Sequence, residues 1–240
     1  MENGERIDEI IYPILKDVWG YSDFRPMQRE IIHQIMLNRD LLAILPTGGG
    51  KSICFQVPAL AKRGICIVVS PLIALIKDQV QNLKKLNIKA LSVHSGMSYR
   101  EVDIALDNAI YGNYKFLYLS PERLNTQLFR ARVSRMDVSM IVVDEAHCIS
   151  QWGYDFRPDY LTISQIKSEV ARNRRDVDSE FIPHDVPIIA LTATATEKVA
   201  DDICDRLSFA SKNIIRSGFD RPNLSYLVKQ TENKLGNLLA

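Results

Sequence analysis

Residues Leu41 to Ser52 read LLAILPTGGGKS, in which an apolar run leads through Pro46-Thr47 into three glycines, a lysine and a serine. This order predicts a short buried strand, a loop nearly free of side chains, and a helix beginning close to Lys51. Such a loop suits a polyphosphate. Glycines let backbone N–H groups converge on phosphate oxygens, the lysine reaches the β and γ phosphates, and a hydroxyl offers an oxygen to Mg²⁺. The helix that follows turns its positive end toward the anion. Thr47, Gly48, Gly49, Gly50, Lys51 and Ser52 are therefore the candidate phosphate-binding residues, with Ser52 also a candidate metal ligand. The common G-x-x-x-x-G-K-S/T pattern wants glycine where this chain has Leu45.

Around this stretch, apolar runs alternate with helical segments. Strands are expected at 41–45, 65–70, 89–94, 115–120, 139–144, 187–192 and 213–217, and helices near 52–61, 72–86, 98–111, 122–132, 158–170 and 196–207. Most of the strand candidates are continuously apolar, the mark of a parallel sheet covered on both faces. The β-α-β repeat predicts a doubly wound α/β domain with a mainly parallel sheet. Ahead of it, residues 5–18 carry an i, i+3, i+4, i+7 apolar stripe, and a second amphipathic helix is expected from Pro26 to Leu37. Residues 1–38 thus form a helical lead-in, and 168–186, polar and without a clear period, form a surface insertion. The domain is expected to end near 218, with 219–229 a connector and 230–240 the start of another helix.

Composition sets looser bounds. The chain has 240 residues, 46% hydrophobic and 25% charged, enough for one large domain, and a formal net charge of +1 announces no global basic field. A local basic groove remains compatible with that. The four cysteines, Cys54, Cys66, Cys148 and Cys204, form no C-x-x-C pair, so reduced buried thiols are expected and no zinc site. No run approaches the roughly 18 apolar residues of a membrane span. The expected compartment is the cytoplasm or a nucleoid within it.

Asp144-Glu145-Ala146-His147 follows the apolar strand at 139–143. Carboxylates at a strand's carboxyl end lie on the edge where such sheets bind ligands. Asp144 there would help hold Mg²⁺, and Glu145 would orient or deprotonate an attacking water. The run Thr192-Ala193-Thr194-Ala195-Thr196 closes another strand at that edge. Thr192 and Thr194 can hydrogen-bond the acidic motif, while Thr196 is placed as an N-cap for the next helix. Gln28, after Phe24-Arg25, has the two-pronged amide that reads adenine's N6 and N7, although a surface glutamine is the plainer reading. Residues 148–158, CISQWGYDFRP, pack three aromatics, a glycine and an arginine directly after the acidic motif. They either fold back as a satellite core or form a surface that stacks unpaired bases, with Arg157 on a phosphate.

Taken together, the blocks GYSDFRPMQREII, LPTGGGKS, VVSPLIALIKDQV, SPERL, DEAHCISQWGYDFRPDY, ALTATAT and GFDRPNL resemble the RecQ-type DNA helicases of helicase superfamily 2, in order from about residue 18 to 228. Leu45 then ceases to be irregular, because that superfamily's phosphate loop is of the A/P-T-G-x-G-K-S/T kind. The resemblance implies a RecA-like P-loop domain, the first motor domain of an ATP-dependent 3′→5′ DNA helicase of repair and recombination. Its partners would be single-stranded DNA and single-strand/duplex junctions, and it would work as a monomer. Arg25 and Gln28 would contact adenine, and Lys51, Asp144 and Glu145 would serve hydrolysis with ATP and Mg²⁺. His147 would couple the nucleotide site to the aromatic loop, where Trp152, Phe156 and Arg157 would sense single-stranded DNA. Pro71, Lys77, Ser120 and Arg123 match motifs that grip the DNA backbone. Tyr154 stands where many members have histidine, and the 168–186 insertion is longer than usual. Such motors have a second RecA-like domain with an arginine finger, absent from these 240 residues, so slow hydrolysis is expected of this chain alone. A small-molecule kinase and a non-hydrolysing binding module are the other classes compatible with the phosphate loop.

Overall fold

The chain alternates strand and helix because each apolar run is flanked by a helix able to cover it. In the computed structural model, which describes residues 2–152, 155–177 and 186–218, seven strands form one sheet. They are β1 (Leu41–Ile44), β2 (Ile65–Val69), β3 (Ala90–Val93), β4 (Phe116–Leu119), β5 (Val138–Val143), β6 (Ile188–Thr192) and β7 (Ile214–Arg216). Their order is β3-β4-β2-β5-β6-β1-β7, and every pairing among the described residues is parallel.

Alternation along each strand sorts side chains between two cores. Leu42, Ile44, Ile67, Val69, Ile141 and Val143 face α5 (Tyr99–Tyr111), α6 (Gln127–Val133), α7 (Ile163–Val177) and α8 (Glu197–Arg206). Ala43, Cys66, Val68, Tyr118, Met140 and Val142 face α2 (Gln28–Met36), α3 (Lys51–Ala61) and α4 (Ile73–Lys85). A third cluster, with Ile11, Leu15, Ile32 and Val57, seats α1 (Glu2–Trp19) on α2 and α3. All four cysteines are free and buried. Among the described residues, no helix is long and apolar enough to cross a membrane.

Beyond shifts of a few residues at element ends, four boundaries differ from the sequence expectations. The helix expected near 158–170 opens as a 3₁₀ turn at Pro158–Thr162 and turns α-helical only at Ile163. The second helix starts at Gln28 rather than Pro26, because Met27 takes a left-handed φ of 69° and Gln28 Oε1 accepts the Arg25 N–H at 2.8 Å. The single helix expected over 122–132 is split. A 3₁₀ turn at Pro121–Asn125 ends at Thr126, which has extended backbone and caps α6 by accepting the Phe129 N–H. The insertion is also not irregular throughout, since α7 runs to Val177 and so includes residues 168–177. Its inner turns are anchored by buried Ile163, Ile166 and Val170, and polar residues prolong a helix once it is nucleated without supplying an apolar stripe. Residues 178–185 of that insertion, the 219–229 connector and the helix start expected at 230–240 lie outside the described residues. Thr196 does cap α8, accepting the Val199 N–H.

At the amino edge of the sheet, Asp40 links three elements. Both of its oxygens accept from Lys167 Nζ at 2.7 Å, and Oδ1 also accepts from the Ile188 N–H at 2.8 Å. The carboxylate is nearly enclosed, so removing one partner strands a buried charge. Asp40→Ala is expected to destabilise the domain by about 3 kcal/mol, read as a lower denaturant midpoint with an unchanged slope.

Candidate nucleotide site and nucleic-acid interface

Parallel register brings the carboxyl ends of β1, β2, β5 and β6 to one edge, and the sequence-predicted site residues cluster there. A cavity of about 360 Å³ is lined by Thr47, Gly48, Gly50, Lys51, Ser52, Asp144 and Glu145, together with Gln79 of α4 and Tyr118 of β4. The phosphate loop leaves β1 beside β6, where the Leu45 N–H donates to Thr192 O at 3.0 Å. Gly50 has φ 74°, a left-handed conformation that favours glycine, and a Cβ there would make the Gln28 amide shift.

Gln28 and Arg25 close over that loop. Arg25 Nη1 donates to Gly48 O at 2.6 Å, and Gln28 Nε2 donates to Gly50 O at 3.0 Å. Gln28 is buried at 3% exposure, which removes the plain surface reading of this residue. Its amide is engaged by the loop and by Arg25, so pairing with a base requires those bonds to exchange.

The acidic motif is held from several sides. Asp144 Oδ2 accepts from Ser70 Oγ at 3.2 Å, and Oδ1 accepts from the Glu145 N–H at 3.1 Å. Burial first, and the Glu145 charge second, push the Asp144 carboxyl above the usual carboxylate range. Glu145 adopts a left-handed φ of 49°, a strained conformation for a non-glycine residue that recurs at functional sites. Its carboxyl is held below its ordinary pKa, chiefly by the hydrogen bond with His147.

His147 Nδ1 lies 3.3 Å from Glu145 Oε2 and 3.1 Å from Thr192 Oγ1. The Thr192 hydroxyl donates to Thr194 O at 3.1 Å, so its oxygen is left to accept from His147, which fixes Nδ1 as a donor. The neighbouring Cys148 thiol, and then Glu145, push the imidazole up to about 10. The TAT run is thereby joined to the acidic motif.

The aromatic loop lies against the same edge. Trp152 is 62% exposed, which argues against a satellite core for that ring. Arg157 pairs with Asp155 at 3.0 Å, and its Nη1 reaches Pro71 O at 3.4 Å. Gly153 and Tyr154 lie outside the described residues. Lys77 is exposed on α4. Ser120 is buried at 1% exposure, with its hydroxyl donating to Glu122 at 2.6 Å. Arg123 is half-buried and donates to His94 O at 2.9 Å.

Two positioning residues escaped the sequence reading. Ser70 was visible only as a strand end, yet the register of β2 against β5 sets it opposite Asp144. Tyr160, fully buried, donates its hydroxyl to Asp144 O at 3.3 Å, a contact no motif spacing signals.

The sheet and the glycine-lysine-serine loop facing two carboxylates define a P-loop nucleotide-binding α/β domain. A family model for DEAD/DEAH box helicases matches residues 25–203, and the chain belongs to that family. The resemblance to RecQ-type helicases also holds. The ATP-dependent DNA helicase RecQ of Bacillus subtilis (strain 168) is 44% identical over 223 residues, 92% of this chain and 36% of that protein. The RecQ of Pasteurella multocida (strain Pm70) is 41% identical over 213 residues, 89% of this chain and 32% of that one. The chain thus spans about a third of the length of these curated relatives. The Pyrococcus furiosus Hef helicase domain shares the fold, with a TM-score of 0.62 at 22% identity over 87% of this chain and 40% of that one. Family membership removes the small-molecule kinase reading.

The His147–Glu145 pair gives a pH signature. Because the folded pKa of His147 is raised, its stabilising contribution is fully present below the ordinary imidazole value near 6.5 and is lost as pH rises through about 10. Glu145→Gln removes a charge that favours the imidazolium, so it is expected to lower the His147 pKa in an NMR titration of the ring protons.

Proposed function

We propose that this chain is the first motor domain of an ATP-driven 3′→5′ DNA helicase, acting as a monomer on single-stranded DNA and single-strand/duplex junctions in repair and recombination. The cytoplasm or nucleoid is where such an activity would be used. The observation that carries this reading is that a single cavity collects Lys51, Ser52, Asp144 and Glu145, with Glu145 continuing through His147 into Thr192.

Each residue then has a task. Arg25 and Gln28 take the adenine, exchanging their bonds to Gly48 and Gly50 for bonds to the base. Thr47 to Ser52 bind the phosphates through backbone N–H groups and Lys51, at the N-terminus of α3. The donor set fits Mg²⁺, a hard cation that takes oxygen ligands and keeps several waters. Ser52 and Asp144 would hold it with substrate phosphate oxygens, and among the described residues no cluster of three acidic, histidine or cysteine ligands competes for it. Bound there, the ion would neutralise charge developing on the transferred phosphoryl group.

Glu145, kept ionised by His147, orients and deprotonates the attacking water. His147 carries the state of that carboxylate to Thr192 and Thr194. On the DNA side, Pro71, Lys77 and Arg123 would meet the backbone, and Trp152, Phe156 and Arg157 the unpaired strand. Buried Ser120 would act by orienting Glu122 rather than by touching DNA.

Among the described residues lining the cavity there is no arginine, so the charge that an arginine finger supplies has no donor there. Such a group is worth about 10³–10⁵ in rate, and slow hydrolysis by this chain alone is part of the proposal. The test is ATP hydrolysis with and without single-stranded DNA, on this chain and on one extended through a second motor domain. The extended protein should be DNA-stimulated. Glu145→Gln in it should lower turnover by about a hundredfold or more while nucleotide binding persists. Unchanged turnover would remove Glu145 from the mechanism, and DNA-stimulated turnover at full rate by this chain alone would contradict the division of labour.

A further inference from the structure

Lys198, Asp202 and Arg206 of α8 are spaced four residues apart and share one helix face. All three engage the aromatic loop. Lys198 Nζ sits 3.2 Å from the centroid of the Trp152 ring, and the Arg206 guanidinium lies 5.7 Å from that of Phe156. Between them, Asp202 accepts from Ser150 Oγ at 2.7 Å and from Arg206 Nε at 2.8 Å. Ser150 Oγ in turn accepts the Trp152 N–H at 3.2 Å. The base of this assembly is tied to the acidic motif, because α8 follows closely on the Thr192–Thr194 turn that is bonded to His147.

The Trp152 ring is solvent-facing, so the ammonium sits on a stacking surface rather than in a core. A cation over an exposed ring is worth a factor of about two to five in an equilibrium. A nucleic-acid base stacked on an aromatic ring is worth a factor of about five to a hundred or more. Base and ammonium therefore compete for the ring, and the base wins.

We infer that α8 brackets the aromatic loop, with Lys198 holding the Trp152 ring face that an unpaired base takes, so that single-stranded nucleic acid binds by displacing the ammonium. Lys198, Asp202 and Arg206 are positioning residues on this account. It rests on the reading of the loop as a single-strand sensor given above.

The chain holds two tryptophans, Trp19 and Trp152, so a Trp19→Phe background isolates the second as a fluorophore. In that background Lys198→Ala should make Trp152 more accessible to acrylamide quenching, and Lys198→Arg should restore protection. Titrated with oligo(dT) in high salt, where phosphate attraction is screened, Lys198→Ala should reach half-maximal change in Trp152 emission at about two- to fivefold lower concentration. Unchanged quenching would overturn the bracket whatever DNA does. Weaker oligo(dT) binding by Lys198→Ala would also overturn it, making Lys198 a DNA contact instead. Increased quenching with no response to oligo(dT) in either protein would refute the single-strand reading of the loop, and the competition with it.

Discussion

Parallel register across the sheet decides which residues meet at the carboxyl edge of the strands. Ile44 pairs with Thr192, Val69 with Val143, and Val143 with Ala190, so β1, β2, β5 and β6 end within a residue or two of one another. The phosphate loop, Ser70, Asp144 and the threonine turn all follow from those ends. A slip of one residue in β5 would exchange its two faces and send Asp144 into the α5–α8 core. Because these strands are buried on both faces, a carboxylate carried into either core would be stranded without water or partner, which makes such a slip costly. The site is precise because the core beneath it admits one arrangement.

Much of this was legible in the sequence for a physical reason. Continuous apolar runs flanked by amphipathic segments have few alternatives to a covered parallel sheet, and all seven expected strands formed. Glycines followed by lysine and serine at the end of such a run, and two carboxylates at the end of another, are local signals whose meaning survives without coordinates. The helix-to-turn breaks at Thr126 and before Gln28 were not legible. Each depends on one side chain capturing a nearby backbone N–H, which competes with helix on nearly equal terms. Ser70 and Tyr160 were hidden for another reason, since their roles exist only through strand register and packing. The burial of Ser120 was hidden too, because a motif match carries no information on which way a hydroxyl points.

Electrostatics at the edge sort the two carboxylates into different states. Asp144, more buried and beside another negative charge, is pushed toward its neutral form, whereas Glu145 is kept ionised by His147. A divalent cation and Lys51 would reverse the first tendency, so metal arrival and charge on Asp144 are linked. His147 connects this pair to Thr192, and the loop that begins at Cys148 reaches Pro71 through Arg157 and α8 through Trp152. Nucleotide chemistry and the proposed DNA surface are thus separated by a short run of hydrogen-bonded side chains rather than by a long relay.

This edge is proposed to bind ATP, with phosphates in the loop from Thr47 to Ser52 and adenine at Gln28. Calorimetric titration of the chain with Mg·ATP and Mg·GTP, repeated on Gln28→Ala, tests it most directly. The unaltered chain should prefer ATP, and that preference should collapse in the variant. Equal affinities in the unaltered chain, or a preference that survives Gln28→Ala, would contradict it.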